Sequence, residues 1–306
     1  MNLEDEIRDG YLISSQMKKI WQVQMDLATQ LIDVCKKHNL RIWATAGTLL
    51  GVIRHHGYIP WDDDMDFVML REDYDKLLSF AGEFRHPYFL QSAMNEPGYS
   101  RGHAQLRNSN TSAILPADVW QSFNQGIFID IFVFDDMTDD TESWPDKIEN
   151  IQARLSKMRY RTYRSFGTKD LGTIWRLLKS VFRFNRRTLK QYYVDTEDIV
   201  RNWEKGDKAF LTNVMFAPRP YRRLCRDWYA KTIWLPFEDM QMPVPYEYDK
   251  ELKVYYGDDY MTPKMSGSMH GTVVFDVNIP YKQKLKELRR KLNLKERIRG
   301  HLVPGI

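Results

Sequence analysis

The stretch of this chain richest in chemistry is Pro60-Trp61-Asp62-Asp63-Asp64-Met65-Asp66, which runs straight into Phe67-Val68-Met69-Leu70. Side chains alternate along an extended backbone, so Asp62, Asp64 and Asp66 are predicted on one face and Asp63 on the other. Three carboxylates on one side repel one another unless a cation lies among them. Strands also disfavour Asp, so charges at the lip of an apolar strand need a reason. Asp130 adds to the case as a lone carboxylate inside Gly126-Ile127-Phe128-Ile129-Asp130-Ile131-Phe132-Val133. From a neighbouring strand it would complete a set of hard oxygen donors suited to Mg²⁺ or Mn²⁺. The plain alternative is a solvated acidic turn. The alternation into a buried strand and the presence of Asp130 favour the metal.

Gly47-Thr48 lies 16 residues before the Asp64-x-Asp66 pair. Glycine permits close backbone approach, and a helix start offers unpaired N–H groups, so Gly47 and Thr48 are candidates to cradle a phosphate. Elements must hold these groups in place. Ile20, Val23, Leu27, Leu31 and Val34 recur at helical spacing within residues 12–38. Residues 40–44 read as a short strand, 65–70 as a second, 72–80 as a helix, and 88–91 and 104–107 as further strands. The β-branched and aromatic run 126–133 is the strongest strand signal. Residues 147–203 read as mostly helical. Prolines interrupt 210–263, and 281–299 reads as a basic helix with Leu285, Leu288, Leu292 and Ile298 on one side. The pattern predicts an α+β fold: a mixed sheet with flanking helices, and a basic, mainly helical second half. Three regions follow, a catalytic core with its N-terminal helix (1–145), a basic aromatic-rich helical region (146–209), and a C-terminal part that completes the site and ends in a basic helix (210–306).

Composition narrows the class. The chain has 306 residues and a formal net charge of +4, but the charge is segregated. Residues 1–150 carry 24 acidic and 13 basic side chains, whereas 151–190 carry 12 basic and one acidic, so different regions are expected to meet different partners. The hydrophobic fraction of 43% argues against disorder. Cys35 and Cys225 are too few for a disulfide framework. The acidic N-terminus lacks a secretory pattern, and no apolar run is long enough to span a bilayer. The expected setting is the cytoplasm, with an anionic membrane surface on its inner face as a candidate partner for the basic aromatic stretch 154–190. Single-stranded nucleic acid suits the same composition.

The order Gly-[Ser/Thr], Asp-x-Asp, then a distant Asp resembles the signature of the nucleotidyltransferase fold. The block Ala46-Gly47-Thr48-Leu49-Leu50-Gly51-Val52-Ile53-Arg54-His55-His56-Gly57-Tyr58-Ile59-Pro60-Trp61-Asp62-Asp63-Asp64-Met65-Asp66, with Arg71-Glu72-Asp73-Tyr74, resembles the LicD family and the fukutin-type glycan phosphotransferases. Gln105-Leu106-Arg107 through Thr111, the Asp130 strand, Phe237-Glu238 with Pro243-Val244-Pro245, Tyr248-Asp249, Tyr256-Gly257-Asp258 and His270 are similar to later family features. Met265 to Met269, around His270, departs from the pattern.

The resemblance implies transfer of a phospho-alcohol, phosphocholine being the best-known case, from a CDP-linked donor to a hydroxyl of a glycan that is in some cases lipid-linked. Asp64, Asp66 and Asp130 would then be catalytic through the metal, with Asp62 as a further ligand. Asp130 is equally a candidate general base. Arg54 and Arg107 are candidate phosphate clamps, Trp61 a candidate wall for a choline headgroup, and Glu238 and His270 candidate substrate contacts. Two other readings stand beside this one: a nucleotidyltransferase acting on RNA or a small molecule, and an inert membrane-associated scaffold. The complete Trp-Asp-x-Asp-x-Asp block weighs against nucleic acid as substrate, and the intact carboxylates weigh against the scaffold.

Overall fold

The computed structural model describes residues 1–138, 144–163, 188–201, 208–215, 222–265 and 273–291. The N-terminus pairs Glu6–Arg8 (β1) with Tyr11–Ile13 (β2) as a small hairpin, so residues 12 and 13 are strand where the pattern predicts helix. Helix α1 (Ser15–Lys37) begins where the Ser14 hydroxyl accepts the Met17 N–H, a side-chain cap that satisfies one of the helix's unpaired donors. Its buried stripe, Ile20, Trp21, Gln24, Leu27 and Leu31, follows the predicted spacing.

The central sheet contains Trp43–Ala44 (β3), Asp66–Leu70 (β4), Tyr88–Gln91 (β5), Ala104–Asn108 (β6), Ile127–Thr138 (β8) and Lys208–Thr212 (β9). Its order is β3-β4-β8-β6-β5, with β9 pairing the far end of β8. Only β4 and β8 are parallel; the other pairings are antiparallel. Helix α2 (Ala46–Arg54) joins β3 to β4, and α3 (Arg71–Ser79) follows β4 directly.

Register sorts the two faces of the sheet. Phe67, Met69, Leu90, Ala104, Leu106, Ile129, Ile131 and Val133 lie in the main core with α1 residues Trp21, Leu27 and Leu31. The opposite face carries Val68, Leu70, Phe132 and Phe134, interrupted by a polar row. Asp66 pairs Asp130, Asp130 pairs Gln105, and Gln105 pairs Gln91. One line of polar side chains therefore crosses four strands, because residues in register share a face.

Helical elements follow as predicted: α4 (Trp144–Tyr163), which is basic, and α5 (Leu189–Arg201), which is not, pack on each other. Buried Arg71 docks α5 to the sheet, donating to Asp135 on β8 at 2.6 and 2.9 Å and to Glu197 at 2.9 Å. The proline-interrupted region holds a hairpin, Thr232–Phe237 (β10) with Met240–Pro245 (β11), followed by α6 (Tyr248–Tyr256). Ser112–Ile114 (β7) pairs Val274–Asp276 (β12), and α7 (Tyr281–Lys291) seats Tyr281 and Leu285 against Ile114. The architecture is α+β. Among the described residues, no helix is long and apolar enough to cross a membrane. Most of the basic stretch, residues 164–187, lies outside the described residues, as do Leu292 and Ile298 of the predicted terminal helix.

Candidate active site

The aspartate run enters the sheet through a turn in which the Asp62 N–H donates to Ile59 O at 2.9 Å. Two core side chains of α1 fix its backbone: Trp21 Nε1 donates to Asp62 O at 3.1 Å and Gln24 Nε2 to Asp63 O at 2.8 Å. Residues 62–65 are irregular, and β4 begins only at Asp66. The predicted alternation therefore fails in this stretch. Asp62, Asp63 and Asp64 each offer a carboxylate oxygen within 4.8 Å of the others, so Asp63 joins the cluster instead of facing away.

Asp66 and Asp130 are side by side in register on parallel strands, and the Asp130 N–H donates to Met65 O at 2.9 Å. The Asp64 carboxyl is held well above the usual carboxylate range, by burial first and then by the charges of Asp66, Asp62 and Asp130. That upward shift is the electrostatic signature of crowded carboxylates, and a cation among them would relieve it. The donor set is all oxygen and strongly anionic, which fits a hard divalent ion.

Gly47 and Thr48 lie in the first turn of α2, beside the cluster. A Cβ at Gly47 would sit 2.8 Å from Asp62 Oδ2, so only glycine leaves that carboxylate its position. Thr48 Oγ1 accepts the Asp66 N–H at 2.8 Å, which pins the first residue of β4. Thr45, the residue before α2, donates to buried Glu251 on α6 at 2.6 Å. Tyr229 donates to the other oxygen of the same carboxyl.

Other predicted residues serve as supports. Arg107 is 1% exposed, and its guanidinium donates to Gln91, Gln105 and Gly126 O, with burial pushing it down to about 10. It faces no solvent where a phosphate would arrive, so the phosphate-clamp expectation for Arg107 is corrected. Arg54 donates to Tyr260 O at 2.8 Å and to His55 Nε2 at 2.9 Å, tying α2 to the turn after α6. Glu238 accepts from Arg8 of the N-terminal hairpin at 2.6 and 3.3 Å and from the Tyr58 N–H at 3.1 Å. It packs where a Gly57 side chain would be. Its carboxylate thus anchors the loop that delivers the aspartates. Trp61 is half-buried, with edge contacts to Tyr11 and His55 at 6.1 and 6.3 Å. His270 lies outside the described residues.

Four residues near the cluster are not among the predicted site residues, although Gln105 and Tyr256 fall in stretches similar to family features. His103 Nε2 and Gln105 Nε2 reach the same oxygen, Asp130 Oδ1, at 2.9 and 2.6 Å. Arg222 lies 4.5 Å over the Tyr255 ring, and no acidic partner pairs with it among the described residues. Exposed Tyr256, next along α6, feels the charges of Asp66, Asp62 and Arg222. His103 gains its place only through its contacts, and the segment around Arg222 has no periodicity, so local pattern offers no handle on either.

Comparison with known proteins bears on the same stretch of chain. Residues 39–172 match the family model described as LicD/FKTN/FKRP, nucleotidyltransferase domain. This segment is similar to the LicD family. It contains the aspartate loop, β4, β6, Asp130 and the two side chains that donate to it. Beyond the domain, the chain is 25% identical over 236 residues to the lipopolysaccharide cholinephosphotransferase LicD of Haemophilus influenzae, covering 75% of this chain and 86% of that protein. Uncharacterized proteins of Rickettsia prowazekii and Rickettsia typhi are 34% and 36% identical over 85 and 78 residues, covering 30% and 25% of those proteins.

Proposed function

We propose that this protein is a metal-dependent phosphotransferase that moves a phospho-alcohol, phosphocholine or a close analogue, from a CDP-linked donor to a hydroxyl of a cell-surface glycan or its lipid-linked precursor. The observation that carries the reading is the in-register pair Asp66–Asp130 beside Asp64, whose carboxyl is raised by burial and then by its acidic neighbours. Similarity over most of the length of a lipopolysaccharide cholinephosphotransferase supports the substrate class.

Asp64, Asp66 and Asp130 would hold Mg²⁺ or Mn²⁺, with Asp62 beside them. Such an ion, when bound, neutralises phosphate oxygens and the developing charge of the leaving nucleotide. The chain's own residues do the positioning. The first turn of α2, with Gly47 and Thr48, would present backbone N–H groups to the donor phosphates. Arg222, over the Tyr255 ring, has no acidic partner among the described residues, and a guanidinium matches phosphate oxygens in pairs. Trp61 and Tyr11 offer ring faces for a quaternary ammonium group at the mouth of the site. Alignment and charge are most of what phosphoryl transfer requires from a protein.

The test is release of CMP from CDP-choline and other CDP-alcohols with Mg²⁺ and an acceptor glycan. Asp64→Asn and Asp66→Asn serve as controls. Donor-dependent CMP release that both substitutions abolish supports the reading. No CMP from any donor, or release that survives both substitutions, overturns it. The α7 surface and the basic stretch before α5 are where an anionic membrane or lipid-linked acceptor would dock, which liposome flotation with and without anionic lipid checks.

A further inference from the structure

Asp130 is a candidate metal ligand, and its surroundings hold it in place. It sits in the middle strand of the sheet, 5% exposed, with β4 on one side and β6 on the other. A single oxygen, Oδ1, accepts from both His103 Nε2 and Gln105 Nε2. Two N–H donors on one carboxylate oxygen fix the orientation of the carboxyl group, as hydrogen-bond partners of ligating carboxylates do.

The donors are themselves held in one orientation. Gln105 Oε1 accepts from Arg107 and, at 3.3 Å, from Arg101. Guanidinium groups only donate, so the amide oxygen must face the arginines and the amide N–H₂ must face Asp130. Arg107 is fixed in turn by Gln91 and the Gly126 carbonyl. His103 is 3% exposed and packs 4.6 Å from the Phe132 ring. A carboxylate oxygen only accepts, so Nε2 carries the proton toward Asp130.

We propose that His103 and Gln105 are positioning residues that hold Asp130 by Oδ1 as a metal ligand, with Arg107 setting the Gln105 amide from behind. An ion at the cluster would then meet a carboxyl group already held in one orientation. This rests on the metal-dependent reading above and deepens it. Partners that orient a ligating carboxylate typically change metal affinity by roughly 10- to 100-fold.

The experiment is Mn²⁺ binding by isothermal titration calorimetry to the full chain, with circular dichroism to establish folding. His103→Phe and Gln105→Met each remove one donor, and His103→Gln keeps an N–H at nearly the same place. The expected result is Mn²⁺ affinity weakened about tenfold or more in the two deletion variants and largely restored in His103→Gln. The Mn²⁺ concentration for half-maximal CMP release should shift in parallel. Unchanged Mn²⁺ affinity in either folded deletion variant, with wild type binding normally, overturns the clamp and leaves the proposed function standing. Wild type that binds no Mn²⁺ overturns both. Weakened binding in an enzyme that releases no CMP keeps the clamp and sinks only the substrate assignment.

Discussion

Glu251→Gln should remove a specific pH dependence of stability. Glu251 is fully buried on α6, and its carboxyl accepts from Thr45 and Tyr229. Burial raises its pKa to about 7 from an ordinary 4.5. Between those values the folded protein keeps a proton that the unfolded chain has released. Stability from this group is therefore complete below pH 4.5 and is lost as pH rises through the folded value. A tenfold difference in proton affinity between the folded and unfolded states is worth about 1.4 kcal/mol, so the loss by pH 8 is about 3 kcal/mol. Glutamine matches the shape, offers one oxygen and one N–H₂, and does not titrate. Wild type and Glu251→Gln should therefore be nearly equal at pH 5, and the variant should be the more stable by about 3 kcal/mol at pH 8. Urea unfolding at constant ionic strength from pH 5 to 8 measures this, provided the slopes against urea agree. A wild-type-minus-variant difference that stays flat with pH would refute the buried-carboxyl reasoning. CMP release should persist in Glu251→Gln, because the hydrogen bond to Thr45 at the start of α2 is kept.

Asp64→Asn should abolish CMP release yet raise the thermal midpoint of metal-free protein at neutral pH, since it removes a charge crowded by Asp62, Asp66 and Asp130; calorimetric scans with and without Mg²⁺ should show the gain shrinking when metal is present. Gly47→Ala places a methyl against Asp62 Oδ2, so activity should fall at least about tenfold while the unfolding midpoint moves little. Arg107→Leu takes a donor from Gln91, Gly126 O and Gln105, of which Gln105 keeps Arg101, and should cost about 3 kcal/mol in urea unfolding; a raised donor KM without loss of stability would restore Arg107 as a phosphate contact. Arg222→Ala should raise the KM for the CDP-linked donor with little change in stability, because the guanidinium lies over the Tyr255 ring and has no acidic partner among the described residues.

The sequence alone carried the fold class, the strand that holds Asp66, the strand that holds Asp130, and the resemblance to the LicD family. These follow from local pattern: apolar periodicity determines which side of a strand is buried, and a lone carboxylate in an apolar run is visible without coordinates. Roles that depend on partners were decided by tertiary structure. Arg107 looks like a phosphate clamp by residue type and motif position, but antiparallel pairing of β6 with β5 and β8 buries it beneath Gln91 and Gly126. Glu238 looks like an acceptor contact until Arg8, 230 residues earlier, closes on it. Alternation places Asp63 away from the site because it assumes an extended chain, and hydrogen bonds from Trp21 and Gln24 hold that loop in another shape. Local pattern determines which residue types stand at each position of a strand or helix. Which side chains across the sheet complete their hydrogen bonds, and so whether a charge faces substrate or core, is set only when distant segments pack.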